Sequence, residues 1–259
     1  MDPGLRHEGA AERRSWILST LQAAGFVSIT DLARELEVSQ MTIRRDLHAL
    51  EGDGHVRMVH GGASLTPSAP RSTKFWDDEQ DGARDRVGRS AAGLVGPTDT
   101  IAIDAGPTAY ALARALPKDF GGCVITHSMP VLQLLADRAT VRVVALGGEF
   151  LADRRAFVGP TTEAAVTELR VRTFFLSPSA VDARGTYSGS PAEASVQRRL
   201  MGIADQVVLV STAEAFSTSA PARIAPLGRL RASVADRWPP TDLTDALKRA
   251  GVVAHVADV

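Results

Sequence analysis

The chain has 259 residues, 44% of them hydrophobic, enough for one small domain and one α/β domain of ordinary size. A formal net charge of −1 excludes a polycation that holds nucleic acid through bulk charge, and the single cysteine, Cys123, excludes an internal disulfide. The polar opening MDPGLRHEGAAERRS has no apolar signal core, and no run approaches the roughly 18 apolar residues of a membrane span, so a reduced cytoplasmic protein is expected.

Met1 to Ala11 reads as a disordered lead, and Glu12 to Ala24 as a first helix with Ile17, Leu18 and Leu21 inward. Gly25 stops it, Phe26-Val27-Ser28 reads as a short strand, and Ile29 to Leu36 as a second amphipathic helix. Glu37-Val38-Ser39 has the length of a turn between two crossing helices. Ser39 is an N-cap, and Ile43, Leu47 and Leu50 make one apolar stripe on the third helix. Thr42, Arg44 and Arg45 lie near its start and off that stripe, where a helix in the major groove touches bases and phosphates. Arginine forks suit guanine edges, and Thr42 suits a phosphate or a thymine methyl. Gly52 and Gly54 end the helix; His55 to Val59 forms one arm of a hairpin that Gly61-Gly62 closes, with Arg57 and His60 toward the phosphate backbone. Alone, that helix reads more readily as an ordinary amphipathic helix with a solvated charged face; the succession helix, turn, capped helix, glycine stop and basic hairpin is far more specific.

Residues Arg13 to Ala63 resemble the N-terminal DNA-binding module of the DeoR family of bacterial transcription regulators. The match is carried by Val38-Ser39, Thr42-Ile43-Arg44-Arg45-Asp46-Leu47, Leu50, Gly54, Arg57 and His60-Gly61-Gly62-Ala63. Met41 and Met58 stand where the family more often has polar or basic residues. The resemblance implies a winged helix-turn-helix at 12–63 whose DNA contacts come from Ser39, Gln40, Met41, Thr42, Arg44, Arg45, Arg57, His60, Gly61 and Gly62. Asp46, Glu51 and Asp53 offset the arginines, so a modest salt dependence is expected.

Residues 64–82 (beginning SLTPSAPRST) read as a linker, with Phe75 and Trp76 available to dock on the larger domain. From Ala83 to Val259 the pattern is strand, turn, helix. Strands are expected at Thr100–Asp104, Cys123–Thr126, Val141–Leu146, Thr173–Leu176 and Gln206–Ser211. Helices are expected at Ala83–Leu94, from Thr108 to Leu116, through Ala136, at Thr161–Glu168 and at Pro191–Ala204. Such alternation implies a Rossmann-like, mostly parallel sheet with helices on both faces and a ligand crevice beyond the carboxyl ends of the strands. Asp104, Gly106, Thr108, Thr126, Ser128, Gly147 and Gly148 fall at those ends. They suit a polyol anion, and equally they are the turn and capping residues that any such sheet needs. Cys123 reads as a small core residue, and neither a metal-ligand cluster nor a cofactor motif is present in the sequence.

Asp99 to about Ile224 resembles the DeoR sensor domain, similar in fold to ribose-5-phosphate isomerase and coenzyme A transferases. Asp104, Gly106, Thr108, Thr126, Ser128, Leu146-Gly147-Gly148, Val158-Gly159-Pro160, Asp182, Gly185, Glu193-Ala194 and Val196 carry the match. It implies an oligomeric repressor, a homodimer or homotetramer, released from operator DNA by a sugar phosphate bound at Asp104, Gly106, Thr108, Thr126, Ser128, Gly147, Gly148, Asp182 and Glu193. Departures fall at Pro107, His127, Ser177-Pro178-Ser179-Ala180, Gln197, Thr212 and Ala215, two of them replacing lysines. Either the phosphate is held by amides and an arginine such as Arg154, Arg155 or Arg198, or the effector is not phosphorylated. Competing readings are a sugar-phosphate isomerase-like enzyme using Asp104, Asp182 and Glu193, for which the lysine partner is missing at Gln197, and a protein-interaction adaptor.

Overall fold

The computed structural model describes residues 9–24, 26–52, 56–59, 61–65 and 82–257. They fall into two compact units, one within residues 1–72 and one within 73–259. The expected lead through Glu8, the glycine stops Gly25 and Gly54, Asp53, His55, His60 and the Phe75-Trp76 docking segment lie outside the described residues.

The N-terminal unit runs α1 (Ala10–Ala24), β1 (Phe26–Ser28), α2 (Ile29–Glu35), α3 (Gln40–Gly52), β2 (Val56–Val59) and β3 (Gly62–Leu65). Its three strands pair antiparallel in the order β1-β3-β2, so the chain returns from the wing to the strand before α2. Ile17 and Leu21 of α1, Leu32 of α2 and Ile43, Leu47 and Leu50 of α3 meet in one buried core, as the helical spacing predicts. Leu18, Ala33, Leu36 and Trp16 pack on its border. The expected linker begins too early. Ser64 and Leu65 belong to β3, paired with Arg57 and Val56, because the wing hairpin needs a second arm as long as the first.

The second unit contains α4 (Gly82–Ala92), β4 (Thr100–Ile103), α5 (Pro107–Ala115), β5 (Cys123–Thr126), α6 (Met129–Leu135), β6 (Arg142–Ala145), β7 (Glu149–Leu151), β8 (Ala156–Val158) and α7 (Pro160–Thr167). It continues through β9 (Val171–Leu176), β10 (Ala180–Asp182), β11 (Gly185–Ser188), α8 (Pro191–Gly202), β12 (Ala204–Ser211), α9 (Glu214–Ser217), β13 (Ala222–Ala225), β14 (Ala232–Ala235), α10 (Thr241–Arg249) and β15 (Val253–Val256). Seven strands form one parallel sheet in the order β15-β14-β12-β9-β4-β5-β6. Alternate residues go to opposite faces, and both faces are covered. Ile101, Ile103, Phe175, Val208 and Val210 pack with Val87, Ala91, Leu112, Val131 and Leu135. Ala102, Phe174, Leu176, Val207 and Leu209 pack with Val166, Ala194, Leu200, Leu243 and Leu247.

The chain enters the sheet at β4, builds β5 and β6 to one side, and then returns to build β9, β12, β14 and β15 on the other. The order therefore reverses between β4 and β9, and in open α/β sheets that is where ligands bind. Two antiparallel additions flank the sheet, the hairpin β7–β8 and the set β10-β11-β13. They are absent from the sequence expectations because β7, β8 and β10 are three residues each, too short for alternation to register. Cys123 packs at the border of one core, where burial pushes its thiol pKa up, as fits a core residue.

Asp46, expected to offset the arginines of the third helix and the wing, is instead paired with Arg13 of α1. Its carboxylate is buried and receives Arg13 Nε at 2.6 Å, which ties α1 to α3. Asp46→Ala leaves the Arg13 guanidinium, itself 12% exposed, without its counter-ion. The expected cost is about 3–5 kcal/mol. In denaturant unfolding of the full chain, the transition of the N-terminal unit should move to markedly lower denaturant while that of the sensor unit stays in place.

Candidate functional site

The surface expected to face DNA is built by α3 and the wing. Ser39 Oγ accepts the Thr42 amide at 3.1 Å, which caps α3 and sets where its first turn points. Gln40, Met41, Arg44 and Arg45 are all exposed on this turn and the next, opposite the buried Ile43–Leu47–Leu50 stripe. Met41, at 68% exposure, is an apolar side chain held in water at the reading end of the helix. Thr42 departs from the expectation: it is half-buried and its hydroxyl lies 2.9 Å from that of Ser39, so it completes the cap. Arg57 is exposed on β2, and Gly61 has a φ of 81°, the left-handed backbone that a tight hairpin turn requires. Gly62 is buried in β3 against Val27 and Phe26. The Met58 amide donates to Glu51 Oε1 at 2.9 Å, which fastens the wing to the end of α3. Exposed His48, one turn beyond Arg44 and beside Glu51, is an addition to the expected surface; its spacing of four from Arg44 is the signal that marks it.

In the second unit the expected site residues divide sharply. Asp104, at the carboxyl end of β4, is fully buried and takes four donors. Ala105 N (2.8 Å) and His127 Nε2 (2.9 Å) meet Oδ1; Ser177 N and Gln197 Nε2, both at 2.9 Å, meet Oδ2. It spans the β4–β9 switch point, since Ser177 directly follows β9. His127 is also fully buried, and its Nδ1 meets the Phe157 carbonyl at 3.0 Å. The Phe157 carbonyl can only accept, so Nδ1 carries a hydrogen, and Nε2 shares a proton with the Asp104 carboxyl group. Burial lowers its pKa, but the hydrogen bond and charge of Asp104, the charge of Glu193 and the Phe157 carbonyl outweigh that, so the net shift is upward.

Glu193, in the first turn of α8, is likewise fully buried. Its Oε2 receives Ser188 Oγ at 2.7 Å and Arg154 Nε at 3.0 Å. Arg154 stands on the β7–β8 turn, partly exposed, and also reaches Ser179 Oγ at 3.5 Å. In the sequence Gln197, His127, Ser177 and Ser179 register only as departures from a family pattern. In the structure His127, Gln197 and the Ser177 amide meet the Asp104 carboxylate, while Ser179 accepts from Arg154 and the Gly189 amide; the spacing of four between Glu193 and Gln197 is the signal that both share one helix face.

The other expected residues are engaged in holding the loops. Thr126 Oγ1 donates to the Ile103 carbonyl at 2.7 Å and accepts the Ser128 amide; Ser128 Oγ accepts the Val131 amide and caps α6. Gly106 is the N-cap position of α5, and Thr108 is buried in its first turn. Gly147 offers its carbonyl to Thr162 Oγ1 at 2.8 Å. Gly148, with φ 150°, packs so close that a Cβ there would collide with Thr162 Oγ1. Asp182 is not in the cluster's hydrogen-bond network. It sits at the β10–β11 turn, accepting the Arg184 and Gly185 amides and the Arg184 guanidinium. Burial raises its pKa, but the Arg184 contacts outweigh this and hold it below the ordinary carboxylate range. No group of three or more His, Cys, Asp or Glu positioned for a metal occurs among the described residues.

His127 sets a pH dependence. A folded pKa raised above the unfolded value of about 6.5 contributes stability that is complete below that pH and lost as pH rises through the folded value. Unfolding of the sensor unit followed from pH 5 to pH 10 should show an alkaline decline that His127→Asn lacks; identical pH profiles would mean a neutral ring.

The model of the DeoR C terminal sensor domain matches residues 79–237, and that of the DeoR-like helix-turn-helix domain matches 13–69. A lactose phosphotransferase system repressor of Lactococcus lactis subsp. lactis is 32% identical over 77% of this chain and 80% of its own length. The transcriptional repressor AccR of Agrobacterium fabrum is 27% identical over 94% and 97%, and an L-fucose operon activator of Haemophilus influenzae is 26% identical over 89% and 94%. A winged helix-turn-helix unit and a seven-stranded parallel sensor unit, each matched by its own model, place the chain in the DeoR family of transcriptional regulators.

Proposed function

We propose that the chain is a DNA-binding regulator that represses a carbohydrate-metabolism operon and is released by a sugar phosphate or a related unphosphorylated sugar. The observation that carries the DNA reading is the exposed row Gln40, Met41, Arg44 and Arg45 on a helix capped by Ser39 and backed by a buried core. Relatives named for repression of a lactose transport system and for activation of a fucose operon support carbohydrate control, and those of them named repressors support its sign.

The sensor site binds; it does not turn over. General acid–base work needs a titratable group within reach of the reacting proton. Asp104 has its four acceptor positions filled by the protein, and Gln197 replaces the lysine that proton transfer would use. The regulator works as a homodimer or homotetramer in the cytoplasm, because one module contacts few base pairs and joining two raises the effective concentration of the second. No helix among the described residues is long and apolar enough to cross a membrane.

Genome-wide mapping of bound DNA tests this. The wild type should occupy a small set of sites near carbohydrate genes. Arg44→Ala combined with Arg45→Ala, both on exposed positions, should fold normally and lose that occupancy. Occupancy that survives the double change would remove α3 as the reading element.

A further inference from the structure

Met41 is the most exposed large apolar side chain among the described residues. It is the second residue of α3, whose opposite face carries the buried Ile43, Leu47 and Leu50. At roughly 100° per residue, Met41 and Arg45 are the side chains of the first two turns that point most directly away from that stripe. They are four residues apart and therefore neighbours on the helix surface, with exposed Arg44 and His48 beside them. Met41 takes no part in the core that α1, α2 and α3 share. An apolar group thus occupies the centre of the outward face, where covering it from water is favourable.

Duplex DNA offers such a side chain one partner. Base pairs show donors and acceptors in the major groove, and the only methyl group there is the C5-methyl of thymine. Methionine has no donor for a phosphate or a guanine edge, and its thioether sulfur is a weak acceptor. At the centre of a reading face it can recognise a base only through that methyl. Its unbranched chain adapts to the surface it meets. Thr42, whose own methyl could serve, is turned into the cap: it is half-buried, with its hydroxyl 2.9 Å from that of Ser39.

Resting on the DNA reading above, we infer that Met41 is the thymine reader of α3. It packs on the C5-methyl group of one thymine in each half-site, between the guanine or phosphate contacts of Arg44 and Arg45. The family more often has a polar or basic residue at this position, so the preference is this chain's own. The contact is uncharged: it discriminates between base pairs and releases no counter-ion.

The test selects duplexes from a randomised library with the full chain, then replaces each thymine of the enriched sequence in turn by deoxyuridine, which lacks only the C5-methyl. At one position of each half-site the replacement should weaken the wild type about three- to fivefold, the worth of one buried methyl group. In Met41→Ala, checked for a cooperative melt like that of the wild type, the same replacement should change nothing. The slope of log Kd against log salt should be equal in the two proteins. Enrichment without any methyl-sensitive thymine overturns the inference and leaves the DNA reading standing. So does a deoxyuridine penalty as large in Met41→Ala as in the wild type, which would assign the methyl to another side chain. Equal weakening of every duplex in Met41→Ala, with a smaller assembly in sedimentation, would make Met41 a contact between copies and overturns it too. A pool with no enrichment at all would remove the DNA reading itself, and the inference with it.

Discussion

Everything in the sensor unit converges on the carboxylate of Asp104. It is a carboxyl group with no access to solvent, and burying such a group is costly unless its lone pairs are filled. Four donors do this, from the β4 turn, the β5 turn, the β9 turn and α8. The residue therefore joins strands from both sides of the switch point to the helix that carries Glu193. The Asp104 carboxyl group is fully satisfied, while Glu193 Oε1 and Gln197 Oε1 beside it are buried without a hydrogen-bond partner.

The N-terminal unit solves a similar problem with one pair. Its core holds few side chains, and the Arg13–Asp46 bridge spans α1 and α3 beneath the reading surface. Ser39 caps the start of α3 and Glu51 binds the wing near its end. The exposed arginines thus project from a helix restrained at both ends, the fixed orientation that the proposed base readout requires.

Much of this is legible in the residues. Helical spacing at Ile43, Leu47 and Leu50, and near-continuous apolar runs such as TIAI and CVIT, mark a capped helix and buried parallel strands, because those patterns derive directly from which faces are covered. The site is half legible. Asp104 and Glu193 stand out by position, but their partners do not. His127 and Gln197 meet Asp104 across sequence separations of 23 and 93 residues, and no local pattern encodes such a contact. Asp182 enters the expected site only through the family resemblance, and in the structure it holds the β10–β11 turn. The pairing of Asp46 is not legible because its partner Arg13 lies 33 residues away.

Two units with separate cores must be coupled for a regulator to respond, and coupling of binding is reciprocal. The most direct measurement titrates the full chain onto the region upstream of its own gene at low ionic strength, first alone and then with the proposed sugar or sugar-phosphate effector. Tight retention is expected without the effector, with weakening on its addition and a loss of effector affinity by the same factor when DNA is present. Protein that ignores that fragment in the absence of effector, or binds it equally well with the sensor site filled, would contradict a sugar-released regulator.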